Sequence, residues 1–161
     1  MSHCSRAWLR RHLKTLAALE LCNVPVQFVI PFVVLGFPLT PPNLVGFALV
    51  ALLLVQGTGY WVAKRVQLAG PGIPLPGARV FAALRLLNVL LLVCGVLFAL
   101  WAVADTADGG SIPGLALALS AVSEHVNYFH VQLKCGSTED LRRLRKNGLR
   151  RAHLARDLAR A

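Results

Sequence analysis

Four long apolar segments, separated by short polar or charged stretches, dominate the chain. Each segment provides the roughly 20 residues that a helix needs to cross the hydrocarbon of a membrane. The segments cover residues 16–37, 43–63, 80–104 and 112–133. The pattern therefore predicts an all-α membrane protein, in which residues 1–134 form a four-transmembrane-helix bundle and residues 135–161 form a separate tail.

Several prolines lie within and directly after the first apolar segment. Pro25 and Pro31 lie inside the first segment, where the missing N–H group and the ring of proline favour a kink. The connection at 38–42 holds three further prolines, so it is predicted to be a tight hairpin between antiparallel helices. Asn43, which follows this connection, is a residue type that caps helix N-termini, and we expect it to cap the second helix.

Composition and charge support the membrane assignment and predict an orientation. Of the 161 residues, 56% are hydrophobic and 15% are charged, and the mean hydropathy is +0.60. Soluble domains are charged at about 25% of positions. The connections at 38–42 and 105–111 contain no Lys or Arg. By the positive-inside rule, both termini and the loop at 66–78 lie in the cytosol. The net charge of +10 thus reflects orientation, and a nucleic-acid partner is not expected.

The tail is basic and amphipathic. Nine of the 17 Lys and Arg residues lie from Lys134 onward, and Leu141, Leu144, Leu154 and Leu158 recur among them. Short helices of this kind bind the surface of an anionic leaflet. Membrane lipids are therefore the expected partners, with the tail on the inner leaflet. The pattern leaves a second copy or another protein open as a further partner.

Ionisable groups inside the apolar segments mark a candidate site, because such groups are costly in a membrane. Counting about 1.5 Å per residue from the last basic residue of each segment puts polar groups of all four helices about 9–15 Å deep. The candidate ligand-binding residues are Glu20, Asn23, Gln56, Tyr60, Arg85, Asn88, Glu124, Asn127, Tyr128 and His130. We predict that they converge in the cytosolic half of the bundle, with Arg85 paired to one of the two glutamates.

Three functions are compatible with this polar layer. The first is a polar inner-leaflet pocket in which Arg85 binds the phosphate or carboxylate of a lipid or isoprenoid head group. The second is an enzyme that acts on such a lipid, with Glu124 or His130 as general base. The third is a structural or assembly subunit whose polar network only fixes the register of the helices. No G-x-S-x-G or Walker motif is present, so no catalytic residue is assigned.

Cofactor chemistry finds little support in the sequence. His125 and His130 are five residues apart, and the other predicted spans contain no histidine, so no metal or haem site is predicted and a cofactor stays undetermined. The four cysteines form no disulfide framework. Cys22 and Cys94 are expected to be small buried apolar residues.

The fourth segment contains E-H-V-N-Y-F-H-V-Q-L, and the tail contains L-R-K-N-G-L-R-R-A-H-L-A-R-D-L. Together these motifs resemble the C-terminal part of a group of small, uncharacterised bacterial four-helix integral membrane proteins. The resemblance covers residues 123–158, about a fifth of the chain. It implies a multi-pass protein of the bacterial cytoplasmic (plasma) membrane, and it implies no activity.

Overall fold

Helices account for nearly all of the residues that the computed structural model describes, which are 3–70, 73–105, 109–131 and 151–159, with side chains from Trp8 onward. They are α1 (His3–Phe28), a π-helical segment (Val29–Val34), α2 (Pro41–Gln67), α3 (Ala78–Asp105), α4 (Ile112–Phe129) and α5 (His153–Leu158). These described ranges contain no strand, and Val131 and Arg151 form an isolated antiparallel bridge. The all-α prediction is confirmed.

Three helices are long and apolar enough to cross a membrane: Trp8–Val34, Pro41–Gln67 and Ala78–Asp105. Their length and composition indicate a multi-pass membrane protein. Helix α4 has 18 residues. At about 1.5 Å per residue it is roughly 27 Å long, slightly less than the roughly 30 Å of a hydrocarbon core. Crossing of the membrane by α4 therefore stays a prediction.

The first helix begins before the apolar segment at 16–37 and contains a π-helical turn. The residues around Trp8 continue into the apolar segment without a break, as expected for an amphipathic lead-in to the first span. Pro31 cannot donate a backbone hydrogen bond, and its ring clashes with the carbonyl of residue i−4. The chain widens into the π-helical segment around it, where Leu35 N–H donates to Ile30 O at 3.0 Å. Gly36, with φ of 68°, then ends the helical path.

The other helix ends also differ from the predicted boundaries. Thr40 is the N-cap of α2, and prolines occupy the first helical positions, which favour proline. The prediction that Asn43 caps this helix is therefore wrong. Helix α4 ends at Phe129, because the chain turns there and His130 O accepts a bond from Ala152 N–H at 3.0 Å. Gln132, Leu133 and most of the predicted tail lie outside the described residues.

Helix α2 lies at the centre and packs against α1, α3 and α4. Successive helices alternate in direction, as shown by Thr58 Oγ1 donating to Ala17 O at 3.4 Å and by the contact of Gln56 with Asn88. The connections at 35–40 and 109–111 consequently meet at one end of the bundle. The described Lys and Arg side chains lie toward the opposite end, which we call the basic end.

Leucine, valine and alanine fill the space between α2, α3 and α4, with Leu53, Leu92 and Ala118 at the centre. Gly46 and Gly114 bring the backbones of α2 and α4 into direct contact, since a Cβ on Gly46 would overlap the Gly114 carbonyl. Outside this core, large apolar side chains on α1 and α3 are exposed, as expected for surfaces that face lipid. Cys22 and Cys94 lie on these surfaces, so the prediction that they are buried is wrong.

Candidate functional site

Two amides join α2 to α3 in the half of the bundle nearer the basic end. Gln56 Nε2 donates to Asn88 Oδ1 at 3.0 Å, and Asn88 Nδ2 donates to Gln56 Oε1 at 2.7 Å. Asn88 is buried, and Gln56 is half-buried. This reciprocal pair satisfies one donor and one acceptor on each amide, so it fixes the register of the two helices at this level.

Tyr128 of α4 lies at the same level on the side that faces α1. Its ring fills the space that the absent side chain of Gly57 leaves on α2. Glu20 of α1 and Glu124 of α4 are its electrostatic neighbours, and each of these glutamates buries its Oε2 atom. The two acids that the sequence places inside the membrane are therefore gathered around one buried tyrosine.

His125 lies on the neighbouring face of α4 and is 5% exposed. Its ring stacks on Phe129 with the centroids 4.9 Å apart, and the ring of His130 follows at 5.4 Å. Among the described residues, neither His125 ring nitrogen has a hydrogen-bond partner. Arg85 of α3 is exposed and is an electrostatic neighbour of His125. A neutral imidazole has one donor and one acceptor nitrogen, so this buried ring has unused hydrogen-bonding capacity.

A second network closes the basic end. Lys64 Nζ of α2 donates to both carboxylate oxygens of Asp157 in α5, at 2.8 and 2.7 Å, and to Gln67 Oε1 at 2.9 Å. The hydroxyl of Tyr60 donates to Asp157 Oδ2 at 2.9 Å. Tyr60 and Asp157 are buried, and the Lys64 side chain is 20% exposed. This network anchors the C-terminal helix to the bundle.

Leu154, one turn before Asp157, enters an apolar cluster beneath this network. A narrow apolar gap remains there, with no room for a water molecule. Its lining residues are Gln56, Gly57, Tyr60, Phe81, Tyr128, Phe129 and Leu154. Three of the predicted site residues thus line one space, and a side chain of α5 occupies part of it.

The predicted site residues separate into distinct groups. Gln56 contacts Asn88, Glu20 and Glu124 flank Tyr128, and Tyr60 belongs to the Asp157 network. His130 and Arg85 are exposed, while Asn23 and Asn127 are half-buried. Within the described ranges Arg85 makes no ion pair, so its predicted pairing with a glutamate is wrong.

Sequence reasoning missed the roles of Asp157 and His125. Asp157 is the only acidic residue between residues 141 and 161, a region otherwise rich in Arg and Lys, and this isolation was the available signal. His125 was visible as a histidine within an apolar segment, but its unused nitrogens depend on packing against Phe129. The sequence places Lys64 on one helical face with Gln56 and Tyr60, but it does not indicate its partner Asp157, which lies 93 residues away.

Comparison with protein-family models, with curated proteins and with solved structures finds no match for the chain. In the part of the chain that the structure describes, no group of three or more His, Cys, Asp or Glu side chains is placed to hold a metal ion. The case for a function therefore depends on the chemistry of the polar layer itself.

Proposed function

We propose that the chain is a multi-pass protein of the bacterial cytoplasmic membrane that binds the anionic head group of an inner-leaflet lipid or isoprenoid. All four long helices cross the membrane in this proposal, and both termini lie in the cytosol. The grouping of the described basic side chains at one end supports this orientation by the positive-inside rule. The polar layer then lies at the depth of the inner leaflet.

The observation that carries the proposal is the arrangement of Arg85, His125 and His130. Arg85 of α3 and His130 at the end of α4 are exposed and are electrostatic neighbours of the buried His125, whose two nitrogens have no hydrogen-bond partner among the described residues. A phosphate or carboxylate that approaches from the lipid would pair with the Arg85 guanidinium and accept a hydrogen bond from His125. Such charge-assisted bonds are among the strongest that proteins make.

The remaining polar residues support this head-group site from inside the bundle. Gln56 and Asn88 hold α2 and α3 at a fixed register. Glu20 of α1 and Glu124 of α4 flank Tyr128. Successive residues of an α-helix are about 100° apart around its axis, so Glu124 and His125 point in different directions, and an anion at His125 is separated from the Glu124 carboxylate in this proposal. Asn23 and Asn127, both half-buried, complete the polar lining in this proposal, whereas Tyr60 is bonded to Asp157.

A structural or assembly role is the second candidate. The Gln56–Asn88 pair is mutually bonded, and the gap beside it has no room even for a water molecule. Both observations favour a network that fixes helix register. This candidate differs from head-group binding in one respect: it gives Arg85 and His125 no ligand.

Mass spectrometry of the gently purified full chain, released from a mild detergent, tests the proposal. We expect the parent protein to retain an anionic lipid. Arg85→Ala should reduce this retention by at least about tenfold, because a hydrogen bond to a charged group contributes about 1.5–3 kcal/mol. His125→Phe should also weaken it. Arg79→Ala removes another exposed arginine from the same helix, away from His125, and should leave retention unchanged.

Helical content and thermal unfolding of each variant establish that it is folded before its lipid is compared. Equal amounts of the same lipid on the parent, Arg85→Ala and His125→Phe would reject the head-group site and favour the register-fixing role. Turnover of a lipid that disappears in Glu124→Gln while binding persists would instead establish an enzyme.

A further inference from the structure

The contacts of α5 resemble those of a bound amphiphile. Its Asp157 carboxylate receives hydrogen bonds from Lys64 and Tyr60, and its Leu154 side chain enters the apolar gap one helical turn away. An anionic head and an apolar chain are thus presented together at the basic end. We propose that Lys64 and Tyr60 form a second binding site, for an amphiphile with a carboxylate or phosphate head, and that α5 occupies this site until such a ligand displaces it.

The donors around Asp157 are arranged for an anion. Lys64 Nζ directs two of its hydrogens to the carboxylate, while its third is held by Gln67. Tyr60, 1% exposed, supplies a further donor from a ring fixed between Trp61 and Phe81. A phosphate or a free carboxylate can take the place of the two Asp157 oxygens without rearrangement of these donors.

The apolar part of the site continues from this anion position. Phe81, Phe129 and Gly57 line the gap that Leu154 enters, and these residues come from α3, α4 and α2. Withdrawal of Leu154 would enlarge this space and leave it open toward the inner surface of the membrane. The first part of an acyl or isoprenoid chain has the chemistry that such a lining favours.

Helix α5 is a short element whose stability depends on its contacts with the bundle. It has six residues, and a helix this short is unstable without its packing contacts. The buried side chains of α5 are Leu154 and Asp157, Leu158 packs against the same cluster, and Ala152 N–H bonds to His130 O just before the helix. Arg151 and Arg156 flank them, and basic side chains are attracted to an anionic leaflet. Anionic amphiphiles would therefore favour the detached state of α5 in two ways: they compete with Asp157 for Lys64, and they attract the released segment to the membrane surface.

This arrangement predicts competition between α5 and the ligand. A ligand that binds only when α5 is detached has its apparent affinity reduced by the fraction of molecules in that state. Weakening of the α5 contacts should therefore strengthen ligand binding, whereas loss of Lys64 should abolish it. A C-terminal helix that only stabilises the bundle gives no such opposite effects. The proposed anion ligands here are Lys64 and Tyr60 and do not include Arg85, so this inference does not require the head-group site proposed above.

The test uses the full chain, without its native cysteines, in nanodiscs. Spin labels at Val66 and Ala159, both exposed, report the distance between α2 and the end of α5. Discs of phosphatidylcholine alone are compared with discs that also contain phosphatidic acid or oleic acid, which distinguishes a phosphate from a carboxylate head. We expect a short distance in phosphatidylcholine and a growing population of long distances as either anionic lipid is added.

Three variants test the mechanism. Asp157→Asn should lower the phosphatidic acid content needed for half-displacement by about tenfold, since it raises the detached fraction. Lys64→Met should detach α5 without added lipid and should not gain bound phosphatidic acid, measured by mass spectrometry of the disc-free protein. Lys64→Arg keeps the positive charge, so it should keep α5 attached in phosphatidylcholine and should still release it when phosphatidic acid is added.

The inference is overturned if Asp157→Asn and Lys64→Met retain equal amounts of anionic lipid, or if α5 keeps one distance in all three disc compositions. Arg85→Ala separates this test from the first proposal. Failure of Arg85→Ala to change displacement, together with no gain of bound phosphatidic acid in Lys64→Met, supports the Lys64 site whether or not the Arg85 site exists. Loss of displacement in Arg85→Ala, together with parental binding of phosphatidic acid in Lys64→Met, overturns the inference and leaves the first proposal standing.

Discussion

Replacement of Asn43 with alanine is expected to lower the free energy of unfolding by about 3 kcal/mol, since it breaks several buried hydrogen bonds at once. Asn43 is fully buried. Its Nδ2 donates to Pro38 O and to Gly110 O, each at 2.8 Å, and its Oδ1 accepts from Gly114 N–H at 2.7 Å. One side chain thus joins α2 to both connections at the end opposite the basic end.

The bond to Gly114 explains why the loss should be large. The first N–H groups of a helix have no partner within that helix. Gly114 is in the first turn of α4, and Ser111, the N-cap of α4, makes no side-chain capping bond. Asn43 therefore caps α4 from a different helix. Without it, the buried N–H of Gly114 and the partly buried carbonyls of Pro38 and Gly110 each lose this hydrogen bond.

Two substitutions sharpen this test, with unfolding followed by helical content in mixed micelles of rising denaturing-detergent fraction. Asn43→Asp keeps the acceptor for Gly114 but sets a carboxylate against two carbonyl oxygens, so it should be nearly as destabilising as alanine. Thr40→Ala, three residues earlier, removes a hydroxyl that makes no capping bond and should change stability by less than about 0.5 kcal/mol. An Asn43→Ala protein as stable as Thr40→Ala would show that this cross-helix cap contributes nothing.

Substitution of alanine for glycine is expected to lower the stability of the bundle at Gly46 and to raise it at Gly59, two positions in α2. A Cβ on Gly46 would overlap the backbone of Gly114, which cannot rotate away as a side chain could. Gly46→Ala should therefore push α2 and α4 apart and destabilise the bundle by about 1–3 kcal/mol. A Cβ on Gly59 meets nothing within 4 Å. Gly59→Ala should stabilise the helix by about 0.5–1 kcal/mol.

The same unfolding measurement serves for both glycine variants. They differ only in position along one helix, so effects on detergent binding and on helix propensity largely cancel between them. Gly114→Ala offers an independent check, because its Cβ would lie 2.5 Å from Pro42 O on the other side of the same contact. Stabilisation by Gly46→Ala would contradict the close approach of α2 and α4.

The positions of the long helices were predictable because each corresponds to a long apolar segment of the sequence. Residues 43–63 and 80–104 correspond closely to α2 and α3, and α1 differs chiefly in its earlier start. The π-helical segment was not predictable in detail. Pro31 indicates that the helix must distort there, but a kink and a π-turn both relieve the same clash.

Polar contacts between distant residues were harder to predict than the depth of the polar residues. Matching depth along α2 and α3 is consistent with the contact between Gln56 and Asn88. Depth alone cannot tell which helices are neighbours or which way each residue points, so Arg85 was assigned to a glutamate although it faces outward. Asn43 was assigned to its own helix because capping is usually local, whereas its partner Gly114 lies 71 residues away.

The contact of Lys64 with Asp157 depends on the return of the chain to the basic end. These residues are 93 positions apart, and local sequence patterns contain no information at that separation. The amphipathic character of the tail was visible, and it favoured binding to a membrane surface. In the described part of the tail, Leu154 packs against the bundle. Attachment to the bundle and attachment to lipid use the same apolar side chains, so the amphipathic pattern of the tail is compatible with both.

The membrane topology is the most direct test, since both proposed sites require four crossings with the basic end in the cytosol. Single cysteines can replace Leu39, Ile112, Ala69 and Ala159, all exposed, in a cysteine-free chain, for reaction with a membrane-impermeant maleimide. We predict that Leu39→Cys and Ile112→Cys react in intact bacterial cells, and that Ala69→Cys and Ala159→Cys react only in inverted membrane vesicles. Reaction of Ile112→Cys only in inverted vesicles would contradict the four crossings and the inner-leaflet site with them.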